Sequence, residues 1–190
     1  MAGVEISSVA SERANELTLN VFCGQLSDAH FPDRYFDVVT MWQCTEHLYD
    51  PKSVLDEINR ILKDDGLLLM GVPNIDGFEF FIFNHNWPPI EIPRHLYHFS
   101  PSTITTLLTR TGFSVEKIRF PVVPGGINWI LDYVAKNLRG SRARFRLMLV
   151  QFFVAHARLT RLLWSPLCYF SAKLGHGGAI VVYAKKRRIF

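Results

Sequence analysis

Residues 36–72 read FDVVTMWQCTEHLYDPKSVLDEINRILKDDGLLLMGV, and this stretch decides the fold. It opens with a β-type run, Phe36–Trp42, and closes with Leu67–Val72, a near-continuous apolar run typical of a strand buried on both faces. Between them, Pro51 suits a helix first turn and Gly66 marks the predicted helix end. Apolar residues recur at helical spacing there: Val54, Leu55, Ile58, Ile61 and Leu62. The order strand, helix, strand predicts a parallel βαβ unit.

The same alternation continues on both sides of this unit. Further strands are expected at 3–6, 20–23, 114–119 and 179–184, and further helices at 7–17 and 101–110. Residues 73–99 read as a long, aromatic-rich loop, and loops of that length are usually functional. The pattern predicts an α/β fold with a doubly wound, mostly parallel sheet.

Length and composition indicate a single domain. The chain has 190 residues, of which 48% are hydrophobic, enough for one globular core. We expect residues 1–120 to form the core, 121–176 a helical basic insertion, and 177–190 the final strand and a basic tail.

Charge is distributed unequally. Residues 1–132 carry all 17 acidic residues and 9 Lys or Arg, whereas residues 133–190 carry 12 Lys or Arg and no acidic residue. Basic and apolar residues alternate over 136–170, which favours either peripheral contact with a membrane surface or a helical insertion packed on the sheet. No nucleic-acid motif is present, so no nucleic-acid partner is expected.

The three cysteines are far apart and form no CxxC pair, which fits a reducing compartment. The sequence has no run of about 18 apolar residues and no leader pattern at its start. A cytoplasmic protein, with membrane-peripheral contact still possible, is the expectation.

Six short motifs in order carry a family resemblance: GVEIS (3–7), FPDRYFDVV (31–39), EHLYDP (46–51), ILKDDGLLL (61–69), VPN (72–74) and PRHLYHFS (93–100). In this order they resemble the class I S-adenosylmethionine-dependent methyltransferases, most of all the branch that includes ubiquinone-type, lipid and saccharide methyltransferases. The resemblance implies a Rossmann-like enzyme fold with an antiparallel last strand and S-adenosylmethionine as the cofactor.

The sequence also departs from that family. Family members begin with a strand and a glycine-rich loop that wraps the methionine end of the cofactor, and no matching segment stands before Gly3. The missing strand lies centrally in the family's sheet, so we expect unpaired backbone groups there. The resemblance therefore predicts a fragment without its cofactor loop, with negligible S-adenosylmethionine affinity as it stands.

The resemblance implies six cofactor-binding residues: Glu5, Ile6, Gln25, Leu26, Trp42 and Gln43. Glu5 ends a predicted strand, where a carboxylate can accept hydrogen bonds from both ribose hydroxyls. Gln25 stands where the family usually has Asp, although an amide oxygen still accepts from the adenine amine. Trp42 fits packing on the cofactor and packing in the core equally well.

Two polar motifs are candidates for catalysis and acceptor binding. His47 follows Glu46 and can take a proton from a hydroxyl acceptor, or the pair can simply make structural hydrogen bonds at a helix entry. His95 and His98 are further candidate bases, and Arg94 suits an anionic acceptor group. Trp87 would belong to an apolar acceptor wall, or to a small core of the loop itself. Glu46 with His95 and His98 also offers metal ligands, but without further ligand spacing we expect no metal.

The resemblance implies S-adenosylmethionine-dependent methyl transfer, with O-methylation of a small or lipid-like, amphiphilic acceptor favoured. No covalent nucleophile is needed, because the sulfonium already carries an activated methyl group. The alternative is a non-catalytic methyltransferase-like module that binds a partner or a membrane surface.

Overall fold

The computed structural model describes residues 1–122, 133 and 156–187, with 157–161 described by backbone alone. The strands are β1 (Gly3–Glu5), β2 (Val21–Cys23), β3 (Phe36–Trp42), β4 (Leu62–Pro73), β5 (Phe113–Arg119) and β6 (Ala179–Lys186). The helices are α1 (Ser8–Glu16), α2 (Pro51–Ile61), α3 (Phe78–Phe83), α4 (Pro101–Arg110) and α5 (Ala157–Lys173). Strands and helices alternate along most of the chain, so the predicted α/β class is confirmed.

The strands form two sheets. Strands β1 and β2 pair in parallel, and the other four follow the order β3-β4-β6-β5. Strand β4 pairs in parallel with β3, whereas β6 runs antiparallel to both β4 and β5, as expected for the last strand. Within the described ranges, β1 and β3 each have one edge that pairs with no strand.

Polar caps set the starts of three helices. The Ser7 hydroxyl accepts a hydrogen bond from the Ala10 backbone N–H, and the Asp50 carboxylate accepts one from Ser53 N–H at 3.1 Å. Ser100 and Thr103 form a reciprocal capping box at α4. These caps satisfy N–H groups that have no partner inside the helix. The predicted starts of α2 and α4 are thereby confirmed.

The core lies between β4, β6 and the helices α2 and α4. Alternate residues of the central strands are fully buried: Leu68, Met70, Val72, Ile180, Val182 and Ala184. Leu55 and Ile58 from α2 and Ile104 and Leu108 from α4 pack in the same cluster. This core fixes the carboxyl ends of β3 and β4, from which the candidate site is built.

Helix α2 ends at Ile61, earlier than the predicted stop at Gly66. Leu62 already has an extended backbone, pairs with Phe36 of β3 and is fully buried. Strand pairing and burial of Leu62 therefore stabilise the fold more than one further helical residue would. As a result, β4 begins five residues before the predicted position.

The predicted loop 73–99 differs from the expectation, and the predicted insertion 121–176 is described only in part. The predicted loop 73–99 contains α3 and two short 3₁₀ turns, Asn84–Asn86 and Pro88–Ile90. In the predicted helical insertion 121–176, α5 is helical as expected, and residues 123–132 and 134–155 lie outside the described residues. Across the described ranges, no helix combines the length and hydropathy that a membrane span requires.

Candidate active site

The candidate site begins where the chain leaves β3. After Trp42, Gln43 adopts a left-handed backbone conformation with φ of 49°, and a 3₁₀ turn follows at Thr45–His47. A positive φ is uncommon for residues other than glycine and is often found at functional sites. This sharp turn brings Glu46 and His47 to the carboxyl edge of the sheet, where ligands bind in open α/β folds.

The segment 93–98 is held directly against this turn. The carbonyl oxygen of Glu46 accepts a hydrogen bond from Leu96 N–H at 2.8 Å, and His47 Nδ1 lies 3.0 Å from the carbonyl oxygen of Arg94. The rings of His47 and His95 meet edge to face, with centroids 4.6 Å apart. Two motifs that the sequence places about 50 residues apart thus form one site.

Backbone carbonyls orient both imidazoles. The Nδ1 atoms of His47 and His95 contact the carbonyl oxygens of Arg94 and Pro89, the latter at 2.6 Å. A carbonyl only accepts, so each Nδ1 carries the proton and donates, which leaves Nε2 to act as base or ligand. The Nε2 of His95 lies 3.3 Å from a carboxylate oxygen of Glu91.

His98 is directed elsewhere. Its Nε2 lies 2.9 Å from the carbonyl oxygen of Ile90, and its ring centroid is 6.5 Å from that of His95. It lines a small, mainly apolar depression together with Pro73, Ile75, Trp87, Pro89, Tyr97 and Phe99. Of the three histidines predicted as bases, the structure therefore brings two together beside Glu46.

Glu46 is the most unusual polar group of the site. It is fully buried, and neither carboxylate oxygen has a hydrogen-bond partner among the described residues; the neighbouring Thr45 hydroxyl is also unpartnered. Burial raises the pKa of the Glu46 carboxyl, and the residue's own backbone N–H and then the imidazoles of His95 and His47 oppose that rise. Buried polar groups without partners are rare because the lost hydration is not replaced.

The predicted cofactor residues lie at neighbouring strand ends. Glu5 ends β1, and one of its carboxylate oxygens accepts a hydrogen bond from Ser7 N–H at 2.8 Å. Burial raises the pKa of the Cys44 thiol, and the carboxylates of Glu46 and Glu5 raise it further. Since both carboxylates act on this one thiol, the ends of β1 and β3 face the same region.

The other predicted cofactor residues differ in exposure. Ile6 and Gln25 are exposed, whereas Leu26 is half-buried and packs against the core. The Trp42 ring lies so close to Gly71 that an added Cβ would stand 2.3 Å from it, yet Trp42 is 51% exposed. Trp42 therefore packs on the sheet and keeps part of its surface accessible.

The predicted acceptor residues also occupy this edge. Trp87 is buried in the wall of the depression, and its indole faces the Glu79 carboxyl, whose pKa burial raises and Trp87 lowers. Arg94 is exposed and forms an ion pair with Glu91. An anionic acceptor would therefore compete with Glu91 for this guanidinium.

Two further residues of the site, Glu91 and Thr45, are not predictable from the sequence. The only sequence signal for Glu91 is a carboxylate four residues before His95, which is uninformative without the turn at Pro88–Ile90 that brings the two together. Thr45 carries no chemical motif, and its burial depends on the turn that follows β3.

Comparisons with known proteins agree with this architecture. A family model described as "Methyltransferase domain" matches residues 1–118. The chain is 30% identical over 113 residues to a protein of Mycolicibacterium smegmatis named "Probable S-adenosylmethionine-dependent methyltransferase", covering 58% of this chain and 41% of that protein. A protein of Mycobacterium tuberculosis H37Rv with a similar name is 31% identical over 107 residues, covering 56% and 37%. The chain thus spans about two fifths of the length of these relatives.

Solved structures show the same fold. A methyltransferase from Thermotoga maritima superposes with a TM-score of 0.64 at 19% identity, covering 98% of this chain and 72% of that one. One from Archaeoglobus fulgidus gives a TM-score of 0.56 at 20% identity, covering 97% and 75%. The family match over residues 1–118 and this shared architecture show that the chain belongs to the methyltransferase domain family and has the Rossmann-like fold of S-adenosylmethionine-dependent methyltransferases.

Proposed function

We propose that this chain is part of an S-adenosylmethionine-dependent methyltransferase that methylates an acceptor hydroxyl. The observation that carries the proposal is the group formed by Glu46, His47 and His95 at the carboxyl edge of the sheet. A hydroxyl acceptor must lose a proton as it is methylated, and this group offers imidazole nitrogens for that role.

The residues at the strand ends fit the cofactor. Glu5 uses one carboxylate oxygen on Ser7 N–H, and its second oxygen makes no hydrogen bond among the described residues, so it is available to ribose hydroxyls. Gln25 and Leu26 would stand at the adenine, and the exposed face of Trp42 beside Gln43 would border the site. When bound, the cofactor supplies an electrophilic methyl group on a sulfonium.

The chain's own contribution is alignment and proton removal. As the acceptor oxygen takes up the methyl group that the bound cofactor would supply, its hydroxyl proton would pass to an imidazole Nε2. The hydrogen bond from Nδ1 to the Arg94 carbonyl holds the His47 ring in the tautomer that accepts this proton. The enclosed position of Glu46 excludes water from one side of the group.

We further propose that the central strand and its glycine-rich loop are supplied by sequence outside these 190 residues. The sheet is divided between β1 and β3, and each of these strands has an edge without a strand partner in the described ranges. A parallel strand placed there would join the two sheets, and the loop after it would face Glu5 and Trp42. Methyl transfer then belongs to the complete protein.

The acceptor side suits a small or amphiphilic molecule. The depression beside His98 is mainly apolar but too shallow to enclose a ligand as it stands, and Trp87 forms part of its wall. The guanidinium of Arg94 is exposed and can pair with a carboxylate or phosphate.

The test is a methylation assay of the complete protein, with labelled S-adenosylmethionine and matched hydroxyl and amine acceptors. We expect labelled methyl ethers, and turnover about 10²-fold lower in His47→Ala and His95→Ala with cofactor affinity retained. Methylation of amines alone, or unchanged turnover in both variants, would contradict the proposal. The 190-residue chain by itself should show no micromolar affinity for S-adenosylmethionine by calorimetry.

Helix α5 supports a second candidate function, peripheral binding to anionic membranes. Its exposed apolar residues Leu163, Leu167, Phe170 and Leu174 follow helical spacing along one face. The sequence around this helix is basic and free of acidic residues, which suits anionic headgroups. Co-sedimentation with liposomes should increase with anionic lipid content and decrease in Leu163→Ser/Phe170→Ser; sedimentation independent of anionic lipid would contradict it.

A further inference from the structure

We propose that Glu46, His47 and His95 form a binding site for a divalent transition-metal ion. Each residue offers one ligand atom, and these atoms all lie within 4.8 Å of one another. The proposal concerns the same group as the proposed function, but binding of the ion does not require methyl transfer.

The buried carboxylate of Glu46 is the first argument for a cation. Its two oxygens receive no hydrogen bond from any described residue, and the side chain is fully buried. Burial of an unpaired carboxylate is costly, and such groups are normally paired or coordinate metals. A cation between Glu46 and the two imidazoles would supply the missing partner.

The imidazoles are already arranged as metal ligands. In metal sites, a ligating histidine usually donates its second ring N–H to a carbonyl or carboxylate, which fixes the ring and its tautomer. His47 and His95 donate from Nδ1 to the carbonyl oxygens of Arg94 and Pro89. Both rings thus have Nε2 available as a ligand.

Glu91 adds a second reason for a cation at this point. One of its carboxylate oxygens lies 3.3 Å from His95 Nε2, the ring nitrogen that does not contact Pro89. A nitrogen lone pair and a carboxylate oxygen repel each other unless a proton or a cation lies between them. Glu91 can therefore serve as an additional ligand or as a charge that stabilises the ion.

The donor set indicates which ions fit. Two imidazoles with one carboxylate suit Zn²⁺, Fe²⁺, Co²⁺ or Mn²⁺, whereas Mg²⁺ prefers oxygen ligands. Ligand atoms around such an ion stand about 3.4 Å apart in a tetrahedral site with bonds of about 2.1 Å. The three side chains would therefore have to draw together by up to about 1.4 Å when the ion binds.

Three protein ligands leave coordination positions open. Structural zinc sites are usually closed by four protein ligands, whereas catalytic sites keep a position for water or substrate. An acceptor hydroxyl bound there would lose its proton more easily, because a coordinated cation lowers the pKa of the oxygen that it binds. With the ion bound, the imidazoles act as ligands and the proton leaves to solvent water.

The test is a titration of the metal-free 190-residue chain with Co²⁺, followed by calorimetry and visible absorption. We expect one Co²⁺ per chain, with d–d bands and no thiolate-to-cobalt charge transfer, and much weaker binding of Mg²⁺. Glu46→Gln and His47→Ala should each weaken Co²⁺ binding at least tenfold. His85→Ala is the matched control, because His85 is exposed and contacts Asn86 instead of this group.

Several outcomes would overturn the proposal. The first is that the wild-type chain binds no Co²⁺. The second is that Glu46→Gln and His47→Ala bind Co²⁺ as tightly as wild type, and the third is a charge-transfer band that assigns the ion to a cysteine. Circular dichroism of each variant identifies loss of folding. Because His47 is half-buried and Glu46 is fully buried, His47→Ala should disturb the fold less than Glu46→Gln. Methyl transfer by a complete protein that binds no metal would remove the metal site and leave the proposed function standing.

Discussion

His47 Nδ1 lies 3.0 Å from the carbonyl oxygen of Arg94, which joins the turn after β3 to the segment 93–98. The partner is a backbone atom, so the orientation of the His47 ring does not depend on the side chain at position 94. The roles of the two residues can therefore be separated by mutation: His47 affects proton removal and Arg94 affects acceptor binding.

Replacement of His47 should reduce turnover without reducing cofactor affinity. In the complete protein, His47→Ala should lower kcat about 10²-fold, because the acceptor hydroxyl loses the group that promotes its deprotonation. Steady-state kinetics and calorimetry with S-adenosylhomocysteine measure the two effects. Wild-type kcat in the variant would exclude His47 from catalysis, and His85→Ala reports on loss of a surface imidazole alone.

Replacement of Arg94 should act on acceptor binding. For an anionic acceptor, Arg94→Ala should raise KM about tenfold with little change in kcat, because one charge-assisted hydrogen bond is lost. Arg110→Ala, at the exposed end of α4, is a matched control. Equal KM values for Arg94→Ala and the control would show that the guanidinium serves only its ion pair with Glu91.

Gly77 should tolerate no side chain. A Cβ there would stand 2.9 Å from the carbonyl oxygens of both Asn74 and Gly177, and these backbone atoms cannot rotate away. We expect Gly77→Ala to lower the free energy of unfolding by about 1–3 kcal/mol, measured by urea denaturation. Asp76→Ala, an exposed neighbour, should stay within about 0.5 kcal/mol of wild type. Matching stabilities for the two variants would refute this close packing.

The ion pair between Glu57 and Arg60 should make stability depend on pH. Hydrogen bonding and charge from Arg60 lower the pKa of the Glu57 carboxyl from its ordinary value of 4.5. The ionised Glu57 carboxylate therefore stabilises the folded state above pH 4.5. This contribution is lost as the pH falls through the lowered pKa of Glu57 in the folded state. Glu57→Gln should unfold at lower urea than wild type at pH 7, and the difference should shrink as the pH falls below 4.5 and vanish once Glu57 is protonated in the folded state as well. A difference that persists there would show that the ion pair is not its source.

Much of the fold could be predicted from local patterns. Strand β3 has the predicted bounds, and α4 begins and ends as expected, because alternation, a proline first turn and a Ser100 cap are local signals. The end of α2 could not be predicted in this way. Leu62 fits the apolar spacing of both a helix and a strand. Its extended conformation depends on pairing with Phe36, which is distant in sequence.

The candidate site could be predicted in its parts but not in its arrangement. Histidines and acids at strand ends indicated the Glu46–His47 and 93–98 motifs, yet their contact depends on the Leu96 N–H bond to Glu46. The separation of His98 from His95 and the ion pair of Arg94 with Glu91 depend on the turns at 88–91. The residue type alone does not determine the direction in which a side chain points from such a turn.

The unpaired edges of β1 and β3 affect how the isolated chain associates with other polypeptides. Open strand edges attract other strands, and Val38 on β3 is 49% exposed, so the isolated chain should self-associate as its concentration rises. The same edges make it suitable for complementation in trans. A co-expressed peptide carrying the absent strand would occupy the cleft between β1 and β3, so that two separately encoded pieces restore one continuous sheet.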